Sequence, residues 1–119
     1  MIRFAFALAL GAMMGSAVAA GEPGREVYQR QCRTCHGGTA TADSPIGPSL
    51  IDVIGAKAGT QPSGLHSRVL VESGIVWDRA SLRRFLIDPR REVPGTIMIQ
   101  GVSDPEALEA LLDYLESLR

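Results

Sequence analysis

Two thiols and an imidazole fall within five residues, Cys32-Arg33-Thr34-Cys35-His36. Cysteines separated by two residues can cycle through a disulfide, ligate a metal, or add covalently to the vinyl groups of a haem. A histidine directly after the second cysteine is the mark of the last of these, the attachment signature of c-type haem. A redox disulfide of the thioredoxin kind needs a βαβ setting, and no sheet pattern surrounds these cysteines. The chain's two cysteines and two histidines would arithmetically supply a zinc ion. Cys35 and His36 are neighbours, however, and tetrahedral zinc takes its histidines at wider spacing. The residues therefore point to one haem c, bound through Cys32 and Cys35, with His36 beneath the iron as its proximal ligand.

An iron held in this way has a sixth position, and its occupant sets the chemistry. A thioether raises the reduction potential and closes the iron, which suits electron transfer; an open position invites ligand chemistry. Met1, Met13 and Met14 lie in an N-terminal leader, which leaves Met98 as the one methionine outside it. A lone methionine ordinarily fills a gap in a core. Met98 instead stands outside any helical stripe and behind the turn-forming pair Pro94-Gly95. It is the favoured axial ligand. The competitor is His66, which sits among glycine and serine where a surface or hydrogen-bonding histidine is the more ordinary role.

The elements that position these groups make one domain, because 119 residues allow no more. Residues 1–20 are set apart from it: Arg3 supplies positive charge, an apolar run follows from Phe4 to Val18, and Ala17-Val18-Ala19-Ala20 closes it. This is the layout of a secretory signal peptide cleaved after Ala19 or Ala20. A retained anchor is the alternative, but the run is short for a span. The expectation is an exported domain at 21–119, located in the periplasm and soluble after cleavage. Losing Arg3 lowers the twelve basic side chains by one against thirteen acidic, a net charge near −2. With Lys57 the only lysine, no nucleic-acid footprint is present. An oxidising compartment permits a Cys32–Cys35 disulfide, yet a loop that short stabilises little. Few aromatic residues remain to fill a core, and a buried macrocycle would make up the deficit.

Along this domain, Glu22-Pro23 suits a first helical turn, and Val27, Tyr28 and Cys32 recur at helical spacing, so a short helix runs into the motif. From Gly37 to Gly64 the composition is that of turns and loops. Leu50, Ile51, Val53 and Ile54 are its apolar grips, compatible with one helical turn. A loop this long is tolerable inside a small domain if it wraps a cofactor. Val69 to Val76 is β-branched but interrupted by Glu72-Ser73-Gly74; a strand pair there would lack partner strands. A second helix starts at an Asp78 N-cap, carries Leu82, Phe85 and Leu86 on one face, and stops at Pro89. Arg90 to Gly101 reads as loop. The last helix, Ser103 to Arg119, has a Ser103/Glu106 capping box, Pro105 in its first turn and a stripe of Leu108, Leu111, Leu112, Leu115 and Leu118. The expected fold class is all-α, three main helices and long loops wrapped around one haem.

These blocks together resemble the class I c-type cytochromes, in particular the mitochondrial cytochrome c and bacterial cytochrome c2 group. The resemblance spans nearly the whole domain. After Cys32-x-x-Cys35-His36 come Gly47-Pro48-x-Leu50, Gly55, Gly59, Ser73-Gly74-Ile75-x-Trp77, Leu82, Leu86-x-Asp88-Pro89 and Val93-Pro94-Gly95-Thr96-x-Met98. It implies the cytochrome c fold, His36 and Met98 as axial ligands, and the Pro48 carbonyl as acceptor for the other ring N–H of His36. It further implies Trp77 beside a haem propionate, Thr96 and Phe85 in the pocket wall, and a close crossing of Gly24 and Tyr28 with Leu111 and Tyr114. The chain also departs from the pattern. His66 stands where a tyrosine is usual near a propionate, which would make the potential pH-sensitive if the imidazole touches it. Ala56 replaces a common arginine, Phe85 a common tyrosine, and Gln100 an aromatic residue after the methionine.

The functional implication is a one-electron carrier between redox proteins, without enzymatic chemistry or a small-molecule substrate. The implied partners are a donor dehydrogenase or bc1-type complex and an acceptor oxidase or reductase. The carrier is a monomer unless it is a haem subunit held tightly by a dehydrogenase. A reading of a different class is a ligand-binding or peroxidase-type haem protein with a labile sixth ligand. Arg33, Arg90 and Arg91, with Lys57, are candidate docking cations, set against Glu106, Glu109, Asp113 and Glu116 on the last helix. That arrangement would steer a basic front towards an acidic partner.

Overall fold

The computed structural model describes residues 22–38 and 44–119, together with residues 11, 12 and 15. The expected signal peptide and its cleavage site otherwise lie outside the described residues. Six helices are present among the described residues: α1 (Glu22–Gln31), α2 (Arg33–His36), α3 (Arg68–Glu72), α4 (Arg79–Ile87), α5 (Pro89–Glu92) and α6 (Pro105–Ser117). The long ones are the three expected, α1, α4 and α6. No strand forms among the described residues; a single antiparallel bridge joins Lys57 to Val76. None of these helices is long and apolar enough to cross a membrane.

Local chemistry explains where each helix begins. The Asp78 carboxylate accepts from Ser81 N at 2.7 Å and the Ser81 hydroxyl accepts from Asp78 N at 3.0 Å, which is a complete capping box. Pro89 ends α4 and at the same time opens α5, because its fixed φ suits a first helical position and Asp88 caps it by accepting from Arg91 N at 3.3 Å. The loop expected from Arg90 thus begins with a helical turn. Likewise the N-cap of α6 falls one residue later than expected. Pro105 occupies the first helical position, so Asp104 is the N-cap and the Ser103/Glu106 box does not form.

Two further stretches differ from the sequence pattern. Val69–Val76 forms neither strand nor coil alone; its first part is α3, held by an Arg68–Glu72 ion pair at 2.7 Å and followed by Gly74 at φ +70°. The valines there project outwards, Val71 at 45% exposure. Leu50 to Ile54 makes turns rather than a helical turn. Asp52 sits at φ +55°, a left-handed conformation that a right-handed helix cannot contain.

The core is where α6 meets the other two long helices. Leu111 and Leu112 are fully buried, with Leu108 and Leu115 nearly so, as the stripe implies. Leu118 falls at the C-cap of α6 and its carbonyl accepts from Asp52 N at 2.6 Å, tying the long loop to the helix end. α1 crosses α6 with Tyr28 against Tyr114, ring centres 5.6 Å apart. On the outer side, α4 and α6 are laced by charge. Arg79 reaches Glu109 and Asp113 at 2.8 Å and Glu116 at 3.2 Å, while Arg83 reaches Glu109 at 2.6 Å. Three of the four acids expected to give α6 a free negative face are therefore paired.

That lacing predicts acid sensitivity. The guanidiniums of Arg83 and then Arg79 hold the Glu109 carboxyl down at about 2, against an ordinary 4.5. A carboxylate whose folded value is depressed stabilises the fold above its unfolded value and loses that contribution as pH falls through the folded one. Thermal midpoints should therefore drop between about pH 4.5 and about 2. Glu109→Gln should flatten that decline; an unchanged profile in the variant would count against the ion-pair account.

Candidate haem site

α1 carries the chain directly into the thiol motif. Cys32 N bonds to Tyr28 O at 2.9 Å, and His36 N returns to Cys32 O at 2.9 Å, so the helical path continues through α2. Helical spacing of i, i+3 and i+4 sets Cys32, Cys35 and His36 on one face. All three line a cavity of about 270 Å³. Pro48, His66, Trp77, Phe85, Thr96 and Met98 line it as well. Every expected ligand and pocket residue thus lines one cavity, from segments as far apart as α2 and the loop before α6.

The histidine is aimed by the long loop. His36 Nδ1 lies 2.8 Å from Pro48 O. A carbonyl only accepts, so Nδ1 carries the proton and Nε2 keeps its lone pair for a metal. Burial pushes the His36 imidazole below its ordinary value, partly offset by the Pro48 bond, which favours the neutral ring that a metal would need. Gly47 makes this approach possible: a Cβ there would stand 2.8 Å from His36 Nδ1 and 2.9 Å from Cys35 O. Gly64 does the same for the neighbouring turn. It adopts φ +69°, and a side chain on it would meet the backbone of Gly47 and Pro48.

Further bonds lock the motif from both sides. Cys35 O accepts from Gly47 N and from the Ser44 hydroxyl, each at 2.7 Å. From α1, the Tyr28 hydroxyl donates to Gly37 O at 2.9 Å and to His36 O at 3.2 Å. Burial first, then Cys32 and Tyr114, raise that phenol to about 12, so it stays a donor at any physiological pH. Neither contact was legible from spacing, although Tyr28 lies one turn before Cys32. Ser44 carries no sequence signal, because only the fold of the loop returns it to Cys35. Tyr28→Phe should cost about 1 kcal/mol, leaving two carbonyls short of a donor; a urea midpoint equal to that of the parent would refute this.

The cavity suits a large flat apolar group with a polar end. Leu50, Val53, Leu82, Leu86, Leu111 and Leu115 supply apolar wall, and Trp77 stacks at a tilt on Phe85, ring centres 5.1 Å apart. Gln61, His66, Ser67 and Thr96 are its polar lining residues, and His66 Nδ1 is buried without a hydrogen-bond partner. The rival chemistries fit less well. Burial, then Cys35, pushes the Cys32 thiol up to about 11, whereas thiol–disulfide exchange requires a depressed one. Among the described residues no three His, Cys, Asp or Glu side chains converge on a point that could hold a metal ion. The donor set and the walls fit a haem held by two thioethers.

Arg33, Arg90, Arg91 and Lys57 are all exposed and none of them lines the cavity. Its mouth is apolar instead, with Ile46, Leu65, Ile97 and Ile99 each more than half exposed.

Comparison with known proteins gives a consistent result. The family model described as Cytochrome c matches residues 21–119. The chain is 38% identical to cytochrome c2 of Rhodomicrobium vannielii, over 84% of this chain and 82% of that one. It is 37% identical to cytochrome c2 of Afifella marina, over 87% and 83%. Among solved structures, cytochrome cH from Methylobacterium extorquens superposes with a TM-score of 0.73 at 34% identity, covering 83% of this chain and 99% of that one.

Proposed function

Since the chain belongs to the cytochrome c family, and is a monohaem c-type cytochrome that acts as an electron carrier, we propose that His36 and Met98 are the two axial ligands of its one covalent haem c. Cys32 and Cys35 hold that group by thioether bonds. The haem supplies one-electron exchange between ferric and ferrous iron. The observation that carries the ligand assignment is convergence. The motif and the only methionine beyond residue 14 line the same cavity, with His36 already engaged through Nδ1 by Pro48.

The surrounding residues keep the site closed and rigid. Tyr28, Ser44 and Gly47 fix the backbone on which His36 sits, and Pro48 fixes the direction of its ring. Leucines from α4 and α6 exclude water from the wall. Val102 N bonds to Leu86 O at 2.7 Å, which anchors the far end of the Met98 loop to α4. A site held this rigidly would have a low reorganisation cost on gaining an electron, and with Met98 as sixth ligand it would leave no position for substrate. This supports a carrier without enzymatic activity.

We further propose export behind a signal peptide at residues 1–20 and a periplasmic location. There the carrier links a donor dehydrogenase or bc1-type complex to an acceptor oxidase or reductase. Arg33, Arg90 and Arg91 would contact those partners around the apolar cavity mouth. Rates with a partner that do not depend on ionic strength would remove the arginines from that role.

The decisive experiment for the site is an optical spectrum of the purified protein in both oxidation states. The expected result is a low-spin c-type spectrum with a weak ferric iron–sulfur band near the red end, and no rapid CO binding on reduction. A high-spin spectrum with rapid CO binding would overturn the closed site in favour of a ligand-binding or peroxidase-type haem protein.

A further inference from the structure

We propose that Tyr28 tunes the haem through His36: its hydroxyl cancels part of the negative helix end on which that ligand sits, and so raises the reduction potential. The inference rests on the ligand assignment above and gives an electronic role to a residue outside the ligand set.

The need for such a group comes from the helical path that carries the motif. α1 and α2 run on from one another through Cys32 N to Tyr28 O, His36 N to Cys32 O and Gly37 N to Arg33 O, each at 2.9 Å. The last carbonyls of a helical path have no partner within it and carry the negative end of its dipole. This path ends at His36, so the negative end is built into the residue that would ligate the iron. Left bare, it would favour the ferric state, because an electron added beside partial negative charge is held less well.

Donors meet these carbonyls one after another. Cys35 O accepts from the Ser44 hydroxyl and from Gly47 N, each at 2.7 Å. The Tyr28 hydroxyl is shared between His36 O at 3.2 Å and Gly37 O at 2.9 Å. Further out, Gly38 O accepts from Gln29 Nε2 at 2.8 Å. The donors are not equivalent. Gln29 and Gly38 are exposed, so water can stand in for that amide. Tyr28 is fully buried, and it serves the carbonyl of His36 itself. An O–H dipole in so poorly solvated a place acts with little screening. No Asp, Glu, Lys or Arg lines the cavity to overwhelm it.

The ring and the hydroxyl of Tyr28 have separable duties. The ring packs on Tyr114, centres 5.6 Å apart, where α1 crosses α6. Phenylalanine would keep that packing and lose only the donor. Hydrogen bonding around an axial ligand is one of the ways a protein sets a haem potential, and here the bond reaches the ligand through its own backbone.

The test is the midpoint potential of the holoprotein at one fixed pH, measured by spectroelectrochemistry on the parent, Tyr28→Phe and Gln29→Ala. The expected result is a lower potential in Tyr28→Phe and an unchanged one in Gln29→Ala, with the low-spin spectrum kept in both. A loss of packing alone would lower the urea midpoint and leave the potential where it was. A second measurement does not depend on Tyr28→Phe folding. Tyr28 and Tyr114 are the only tyrosines, so fluorotyrosine incorporated in a Tyr114→Phe background labels Tyr28 alone. Fluorine beside the hydroxyl makes it a stronger donor, and the potential should rise. A parent potential in Tyr28→Phe, an equal shift in Gln29→Ala, or a potential that fluorination leaves unmoved or lowers would each overturn the proposal. In all of these the parent keeps its low-spin spectrum; a parent without that spectrum would instead implicate the ligand assignment.

Discussion

Met98→Leu should leave the fold nearly as stable as before and lower the midpoint potential by an amount on the order of tenths of a volt. Leucine matches methionine in volume, so if Met98 only filled space the substitution would cost less than about 1.5 kcal/mol and change nothing electronic. Its surroundings argue for more than filling. Along Thr96-Ile97-Met98-Ile99 the exposure alternates, with Thr96 buried, Met98 half-buried, and Ile97 and Ile99 exposed at 57% and 62%. This is the period-two pattern of an extended segment, and it turns the sulfur-bearing side chain towards the wall side while its neighbours flank the mouth. With Met98 as the proposed ligand, removing its soft thioether would take away the group that favours the ferrous state. The ferric iron–sulfur band should vanish together with the fall in potential. A variant that keeps both would show that Met98 packs without ligating.

Gly24→Ala should destabilise the protein by about 3 kcal/mol, near the top of the range for overpacking. Gly24 lies in α1 where it crosses α6. A single methyl there would run into the Ala110 carbonyl oxygen and stand 2.6 Å from Tyr114 Cβ. Ala110 contributes backbone atoms, which cannot rotate aside, so the two helices must separate. Separation would also pull Tyr28 from Tyr114 and loosen the hydroxyl that holds Gly37 O and His36 O. Urea unfolding followed by visible absorbance measures the loss. Gly38→Ala is the control: the nearest atom to its added methyl is Arg33 Nε at 3.9 Å, so it should be close to neutral. Equal midpoints for the two variants would mean that the helix crossing is not close-packed in solution.

Both predictions rest on residues whose importance shows in the sequence to different degrees. Cys32, Cys35 and His36 announce themselves, because thiols and an imidazole at that spacing have few chemical uses. The three long helices are equally legible: their apolar residues recur at helical intervals, and Asp78, Pro89 and Pro105 punctuate them. Register at the ends was less so. A proline that stops one helix also starts the next, and at α6 the cap moved from Ser103 to Asp104, because the start depends on which residue takes the first helical φ. The short helix α3 was hidden, since β-branched valines prefer strands until partner strands prove to be lacking.

The wrapping loop marks the limit of sequence reading. Its composition says turn and nothing about where each turn points. That Ser44 returns to Cys35 and that Gly64 backs onto Gly47 and Pro48 are contacts between residues nine or more apart. Backbone atoms make many of them, and every residue type has those. His66 shows the same limit from the other side: its sequence context suggested a surface or hydrogen-bonding histidine, but not that Gln61 O would be the partner of Nε2. Side-chain chemistry at short, periodic spacing is enough to dictate which cofactor is attached, through which sulfurs, and which long helices enclose it. The folded chain was needed to learn how Gly47, Gly64 and Ser44 hold the loop against the motif, which acids of α6 are neutralised by Arg79 and Arg83, and that one nitrogen of His66 is left buried without a partner. Each of these depends on where the chain returns to itself across long loops, and backbone turns with positive φ at Asp52, Gly55 and Gly64 make those returns.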